Sequence, residues 1–538
     1  MSSLLPSHVQ ILVVGGGPAG SYCASILARE GFSVVVLEAT IFPRYHIGES
    51  MLPSVRPFLK FSGADNKIAS HGFCPKPGAA VKFQQHKREG YTDFSTLSGG
   101  NSPDNAAAWN VKRSEFDEIL LRHAEELGAQ VFENHKVTNL IFADNNVSEG
   151  RPIRAEFSGP DGELRSISFD YLVDASGRVG IMSTKARIYL KNRKFNNTLR
   201  NVASWGYWTG AKRYMPGSER DNAPFFEALT DGSGWAWFIP LHDSTVSVGI
   251  VTDQASSTAR KALSARNGIH YSSKADYLAQ LKLAPTVSGK FLCKATLQGE
   301  NSPTCIRSAS DFSYAADRYS GDHFRLIGDA SAFIDPFFSS GVHLALLGAL
   351  TAAASISASI RKTCSELQAA QFHDKKVAIA YTRFLLVVMG VYKQIRNQDL
   401  HVLAEASSSV SVFLLISLTS ITVIQGTADV GKTVSEDELQ KTMDFCKDIF
   451  APTDPQMHEA VGARLGPELC SPSVPIMTDG EIEDLAKDDN EAKLVLKEIN
   501  ARKAVHTMYG GPIHVAAESI DGLALNLEVG NFGLEKVH

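Results

Sequence analysis

Apolar and polar positions along the first forty residues predict a β-strand, a turn, a helix and a second strand. Val9 to Val14 is apolar apart from Gln10 and reads as a buried strand. A glycine turn follows at Gly15 to Gly20. Ser21 to Glu30 then carries apolar residues at helical spacing, and Ser33 to Glu38 is a second buried run. Further on, Phe73 to Phe94 reads as strands and loops. Ser114 to Leu127 reads as a helix with Phe116, Ile119, Leu120 and Ala124 on its inner face. Strand-like runs recur at Leu172–Val173, Trp235–Pro240, Val246–Val251 and Phe324–Leu326. Val342 to Ile360 is rich in Ala and Leu and predicts a long buried helix. Beyond about residue 365 the pattern is mostly helical. Thr478 to Lys503 is highly charged, which fits an exposed helix or a partly mobile segment. No internal repeat is evident.

Composition narrows the class. The 538 residues suit two or three structural units, and 44% hydrophobic against 21% charged residues is ordinary for a globular enzyme. The net charge of −5 comes without a dense basic stripe, so no nucleic-acid partner is expected. The seven cysteines (Cys23, Cys74, Cys293, Cys305, Cys364, Cys446 and Cys470) are scattered and contain no CxxC pair. They fit a reducing cytosol, and no zinc spacing or metal site is read from them. No basic stretch precedes Ile11–Val14, so the expected location is cytoplasmic. Val410 to Ile424 is apolar but shorter than the roughly 18–20 residues of a membrane span. It reads best as a core helix; a substrate wall or membrane-surface contact is the alternative, and membrane contact is not expected.

Gly15-Gly16-Gly17-Pro18-Ala19-Gly20 fits GxGxxG between a strand and a helix. Here Gly15, Gly17, Ala19 and Gly20 let backbone N–H groups approach a pyrophosphate at a helix N-terminus. Glu38, about 20 residues on, ends the next strand where a carboxylate accepts from ribose hydroxyls. The motif alone does not separate FAD from NAD. Asp174-Ala175-Ser176-Gly177, Gly328-Asp329-Ala330 and Arg113 occur in the order found in class A flavoprotein monooxygenases, and the chain resembles that superfamily. The resemblance implies FAD, with Asp329 and Arg113 as cofactor contacts. No second GxGxxG for a separate NAD(P)H domain is found.

Trp235-Ala236-Trp237-Phe238-Ile239-Pro240 matches WxWxIP, and Phe73-Cys74-Pro75-Lys76-Pro77-Gly78 resembles FxxKxG. Both are signatures of flavin-dependent halogenases. Tryptophans at i and i+2 of a strand share a face. They can exclude water and keep a substrate off the flavin. Lys76 then receives a diffusing hypohalous acid and presents the halogen to the ring. Pro43-Arg44-Tyr45-His46-Ile47-Gly48-Glu49-Ser50 and Asp335 to His343 also match family segments. By that resemblance Arg44 and Ser50 are FAD contacts, while Ser340 and Gly341 hold chloride. Gln425 to Val430 and Gly522 to Glu535 look like the fungal halogenases of polyketide phenols, so the likeness covers nearly the whole chain. Where the tryptophan-halogenase branch has a Glu in the halide loop, this chain has Phe338. A phenol activates its own ring, so the loss of that carboxylate points to a phenolic substrate, with pyrrole as the lesser alternative.

The resemblance therefore implies an α/β fold: a Rossmann-like FAD-binding domain with an inserted substrate-domain β-sheet and a mostly helical C-terminal region. The expected division is a core over 1–365, with the interleaved sheet near 73–110 and 185–300, and a helical region over 366–538 closing the substrate site. The implied reaction uses FADH2 from a separate flavin reductase, dioxygen and chloride, passing through a flavin hydroperoxide and hypochlorous acid. Trp235 and Trp237 act as the barrier and Lys76 as the delivery group. Two other readings of the same fold are an FAD-dependent aromatic hydroxylase and a non-enzymatic escort protein for prenylated GTPases.

Overall fold

The computed structural model describes residues 5–86, 88–94, 108–143, 150–185, 193–268, 271–302, 304–398, 455–470, 477–508 and 512–537. The segments 410–424 and 425–430 lie outside the described residues.

The chain opens with β1 (His8–Val14), α1 (Pro18–Arg29) and β2 (Val34–Leu37). Helix α1 begins three residues earlier than the apolar pattern indicates, because Pro18 supplies a preset backbone angle at its first position. β1 sits between β2 and the strand Leu164–Asp174, parallel to both, and Phe324–Leu326 and Gln130–Phe132 extend the parallel set on either side. Both faces of β1 are covered. Ile11 and Val13 enter one core cluster with α1 and the helix Gly341–Arg361, while Leu12 and Val14 enter another. Burial on both faces is why this strand reads as a continuous apolar run.

The inserted sheet has eight strands. Thr296–Leu297, Lys194–Thr209, Thr245–Asp253, Gly234–Pro240, Phe225–Ala228, Gly78–Lys82 and Gly90–Asp93 follow one another, and Arg307–Ala315 pairs with Lys194–Thr209. The sheet thus reaches residue 315, beyond the expected limit near 300. The region also contains helices, Gln254–Arg266 and Ser273–Leu281, which the strand pattern did not indicate. Ala236 and Phe238 pack into a core of the sheet's own with Tyr277 and Phe291, whereas Trp235, Trp237 and Ile239 face the shared core.

Gly341–Arg361 and Glu366–Arg396 are long and apolar enough to cross a membrane, but 89% and 67% of their most apolar windows are buried inside this fold. They are core helices. Later described elements are the helices Pro455–Leu465, Asp479–Ala486, Asn490–Met508 and Pro512–Ala517 and a hairpin of Leu523–Asn526 with Gly533–Lys536. The charged stretch after Thr478 is thus helical, and Thr478 and Glu481 close a capping box at its start. The cysteines among the described residues are all unpaired.

Candidate active site

The parallel strands finish at one edge, and the turns leaving them surround a cavity of about 580 Å³. Val14, Leu37, Ala175 and Ile327, at or just beyond four strand ends, all line it. This is where open α/β sheets bind dinucleotides. Gly15 has φ +106°, and a Cβ there would lie 2.3 Å from the Ala175 carbonyl oxygen. Gly17 precedes α1 without any side-chain cap, so first-turn N–H groups are left for an anion. A Cβ on Gly17 would approach only Arg44 Nη2, at 3.3 Å. Gly17 and Ala19 line the cavity. Gly20 does not. A Cβ on Gly20 would sit 1.9 Å from the Gly15 carbonyl oxygen, so the absence of a side chain there allows close packing of α1 on the turn.

Charged groups around this cradle are held by short-range geometry. Glu38 Oε2 accepts from the Gly16 N–H at 2.7 Å, and Oε1 accepts from Thr40 N and Oγ1 at 2.9 and 2.7 Å. Arg113 opens the helix Arg113–Glu126, and its Nε and Nη2 donate to Asp117, one turn along, at 2.7 and 3.0 Å. Arg44 Nη1 donates to the same carboxylate at 3.1 Å. Asp117 is fully buried, so one anion orients two cations at the cavity wall. Asp117 was missed from sequence, although its i, i+4 spacing from Arg113 was legible. Asp329 lies in the short turn Gly328–Ala330 and lines the cavity, as does Ser50, whose buried hydroxyl has no partner among the described residues. The open helix terminus, the cradle that a Cβ would fill and the orphaned Ser50 hydroxyl fit the phosphates and ribose of a dinucleotide.

Aromatic residues form the opposite wall. Trp235 and Trp237 both line the cavity, with ring centroids 5.9 Å apart, and Trp205 from the neighbouring part of the sheet stands 6.3 Å from Trp237. The Trp237 indole donates to Ser247 Oγ at 3.1 Å, and the Trp235 indole donates to Tyr392 at 2.8 Å. Trp205 was not anticipated; no local motif marks it, and only strand pairing brings it here.

Lys76 is separate from this cavity. It is 2% exposed, and its Nζ donates at 2.8 Å to the carbonyl of Met51, the residue after the lining pair Glu49–Ser50. The Phe94 ring lies 5.1 Å from the amine. Burial pulls the Lys76 pKa down to about 7. Gly341, at the start of Gly341–Arg361, lines the cavity together with Ser339 and Val342. Ser340 immediately precedes this helix and is fully buried; its hydroxyl has no partner among the described residues. Phe338 ends the turn Pro336–Phe338 just before.

Glu49 is a third functional group missed as an individual residue. It lines the cavity, Oε1 accepts from the Tyr207 hydroxyl at 2.7 Å, and burial raises its pKa to about 7. Away from the cavity, His71 and His242 direct Nε2 atoms at Glu115 Oε2, at 2.8 and 3.1 Å. Lys112 stands beside that carboxylate, and His242 Nδ1 is buried without a partner among the described residues, so this group reads as a clamp between segments.

The sequence profile of the family described as tryptophan halogenase matches residues 10–104 and 94–401. The chain belongs to the flavin-dependent halogenases. It is 93% identical, over the full length of both chains, to the flavin-dependent halogenase armH4 of Armillaria mellea. It is 52% identical to armH1 of the same fungus, over 99% of each chain. Among solved structures it resembles the myxobacterial chondrochloren halogenase CndH, an FAD-dependent enzyme, with a TM-score of 0.64 and 26% identity over 83% of this chain and 98% of that one. This halogenase is therefore an enzyme whose cofactor is FAD, and it requires a supply of reduced flavin and a small-molecule substrate.

Proposed function

We propose that this halogenase chlorinates an electron-rich phenolic ring, using hypochlorous acid as the mobile oxidant and Lys76 as the group that delivers chlorine. FAD would be held by Gly15, Gly17, Ala19, Glu38, Arg44, Ser50, Arg113 and Asp329. When bound and reduced by a separate flavin reductase, it supplies the electrons that activate dioxygen. The N-terminus of Gly341–Arg361 offers chloride the N–H groups of Gly341 and its neighbours and the positive end of a 21-residue helix. Trp235 and Trp237, with Trp205, keep water and substrate away from that end of the cavity. Glu49, whose pKa lies at about 7, can hold or release a proton beside it.

The observation that carries this reading is the setting of Lys76: a buried amine with a pKa of about 7, outside the cavity and tied by Met51 to its edge. At neutral pH much of it is uncharged, and a neutral amine can accept an electrophilic chlorine or hydrogen-bond the acid that carries it. Phe338 supports a phenolic ring, because such a ring needs no loop carboxylate to assist attack.

The test is mass spectrometry of products from the purified protein, FAD, a flavin reductase, NADH, chloride and a panel of resorcinol-type phenols. Replacement of hydrogen by chlorine, with its isotope pattern, is the expected result. An oxygenated product formed equally well without halide would sink the proposal in favour of hydroxylation.

A further inference from the structure

Asp335 is completely buried immediately before the turn that leads to Ser339 and Gly341. Its Oδ1 caps that turn by accepting from the Phe337 N–H at 3.0 Å. Its Oδ2 accepts from Asn201 Nδ2 at 2.9 Å and from the Tyr392 hydroxyl at 2.6 Å. Tyr392 comes from Glu366–Arg396, a helix that lies outside the FAD-binding motifs. The same hydroxyl accepts the indole N–H of Trp235 at 2.8 Å and the Asn201 amide at 2.8 Å. A phenol has one proton to donate. Here it goes to a carboxylate, so the oxygen presents its lone pairs to the indole and the direction of the chain is fixed. The Phe337 ring meets Trp235 edge-on, with centroids 4.9 Å apart. Trp235 and the 336–341 loop are therefore joined twice, by rings and by the Trp235–Tyr392–Asp335 chain.

We propose that Tyr392 is a positioning residue whose hydroxyl sets the Trp235 indole and the loop before Gly341–Arg361 as one unit, so that oxidant made in the cavity is retained rather than lost. The retention half of this statement rests on the function proposed above; the positioning half does not. Trp235 Nε1 cannot turn to water in this core, so loss of the hydroxyl removes the acceptor of its hydrogen bond. Asp335 keeps its bond to Asn201 and the loop stays capped, but the indole has no fixed polar anchor.

Tyr392→Phe tests both halves. In the FAD-free protein, the indole N–H proton resonance of Trp235, identified by its loss in Trp235→Phe, should move and broaden, while those of Trp109 and Trp208 hold. In the reconstituted enzyme, kcat for chlorination should fall about 10- to 100-fold with KM for the phenol little changed. Oxidant captured by an external trap such as monochlorodimedone should rise per NADH consumed. Tyr381→Phe, on the same helix and also buried, should change neither reading. A Trp235 resonance that stays in place in Tyr392→Phe overturns the positioning role. A moved resonance with wild-type coupling of oxidant to product overturns the retention role. If Tyr392→Phe does not fold, Trp235→Phe breaks the chain from its other end, and wild-type coupling there overturns the proposal equally. Should the wild type halogenate no phenol at all, the proposed function fails while the resonance still decides the positioning.

Discussion

At the scale of single residues, the site depends on where a side chain sits relative to water. Lys76 shows this most sharply. In the unfolded chain its amine titrates near 10.5, and in the folded protein burial lowers that to about 7. Between these values the unfolded state binds more protons, so stability should rise as pH increases through this window; below about pH 7 the full penalty of the buried ammonium applies. Lys76→Met should remove that pH dependence and stabilise the protein near pH 7 by a few kcal/mol, measurable by urea unfolding at several pH values. The variant should keep FAD and lose chlorination. Chlorination at the wild-type rate would show that the amine has no part in delivery. Gly17→Val is the contrasting case. Its side chain would meet only the end of Arg44 within the protein, so the variant should fold. It would fill the approach to the α1 N-terminus, so the purified variant should lack the visible absorbance of bound flavin.

At the scale of elements, legibility followed locality. β1, the glycine turn, α1 and β2 could be read directly, because each is specified by neighbours within a few residues. Phe324–Leu326 and Gly234–Pro240 were equally plain. Asp117 was half legible: its spacing from Arg113 was visible, but its bond to Arg44 spans 73 residues of chain. Trp205 takes its role from strand pairing, which leaves no local mark; Glu49 lies in the matched segment 43–50, but its burial, which gives it its role, is not legible there. A motif gives the residues of a turn but not which of them face the cavity: Gly15, Gly17 and Ala19 line it, whereas Gly20 packs against the Gly15 carbonyl. The C-terminal hairpin gives a prediction at this scale. Glu30, just past α1, has a fully buried side chain that accepts from Gly530 N and Phe532 N and pairs with Arg361 at 3.0 Å. Glu30→Ala should cost about 3 kcal/mol in urea unfolding and expose the hairpin to limited proteolysis before the rest of the chain.

At the scale of the whole molecule, the parallel sheet presents a cofactor cavity, the second sheet walls it with tryptophan, and two buried helices lock the parts together. The proposed reaction takes reduced flavin from a separate reductase, so the chain alone is expected to leave NADH unoxidised even with a phenol present. Adding any competent flavin reductase, including an unrelated one, should start turnover, and dialysis membranes that separate the two proteins should slow it without abolishing it. Turnover of NADH by the purified chain alone would contradict this expectation.

The strand Gly234–Pro240 has alternate side chains committed to two different cores, with Trp235, Trp237 and Ile239 on one side and Ala236 and Phe238 on the other. Loss or gain of one codon inside it would exchange the two sets, placing alanine and phenylalanine at the cavity and forcing both indoles into a space built for smaller groups. Point changes at these positions can be graded in their effect; a frame-preserving insertion or deletion cannot. Length variation among descendants of this gene should therefore collect in exposed turns such as 216–220, and the seven codons of this strand should keep their number even where their letters drift.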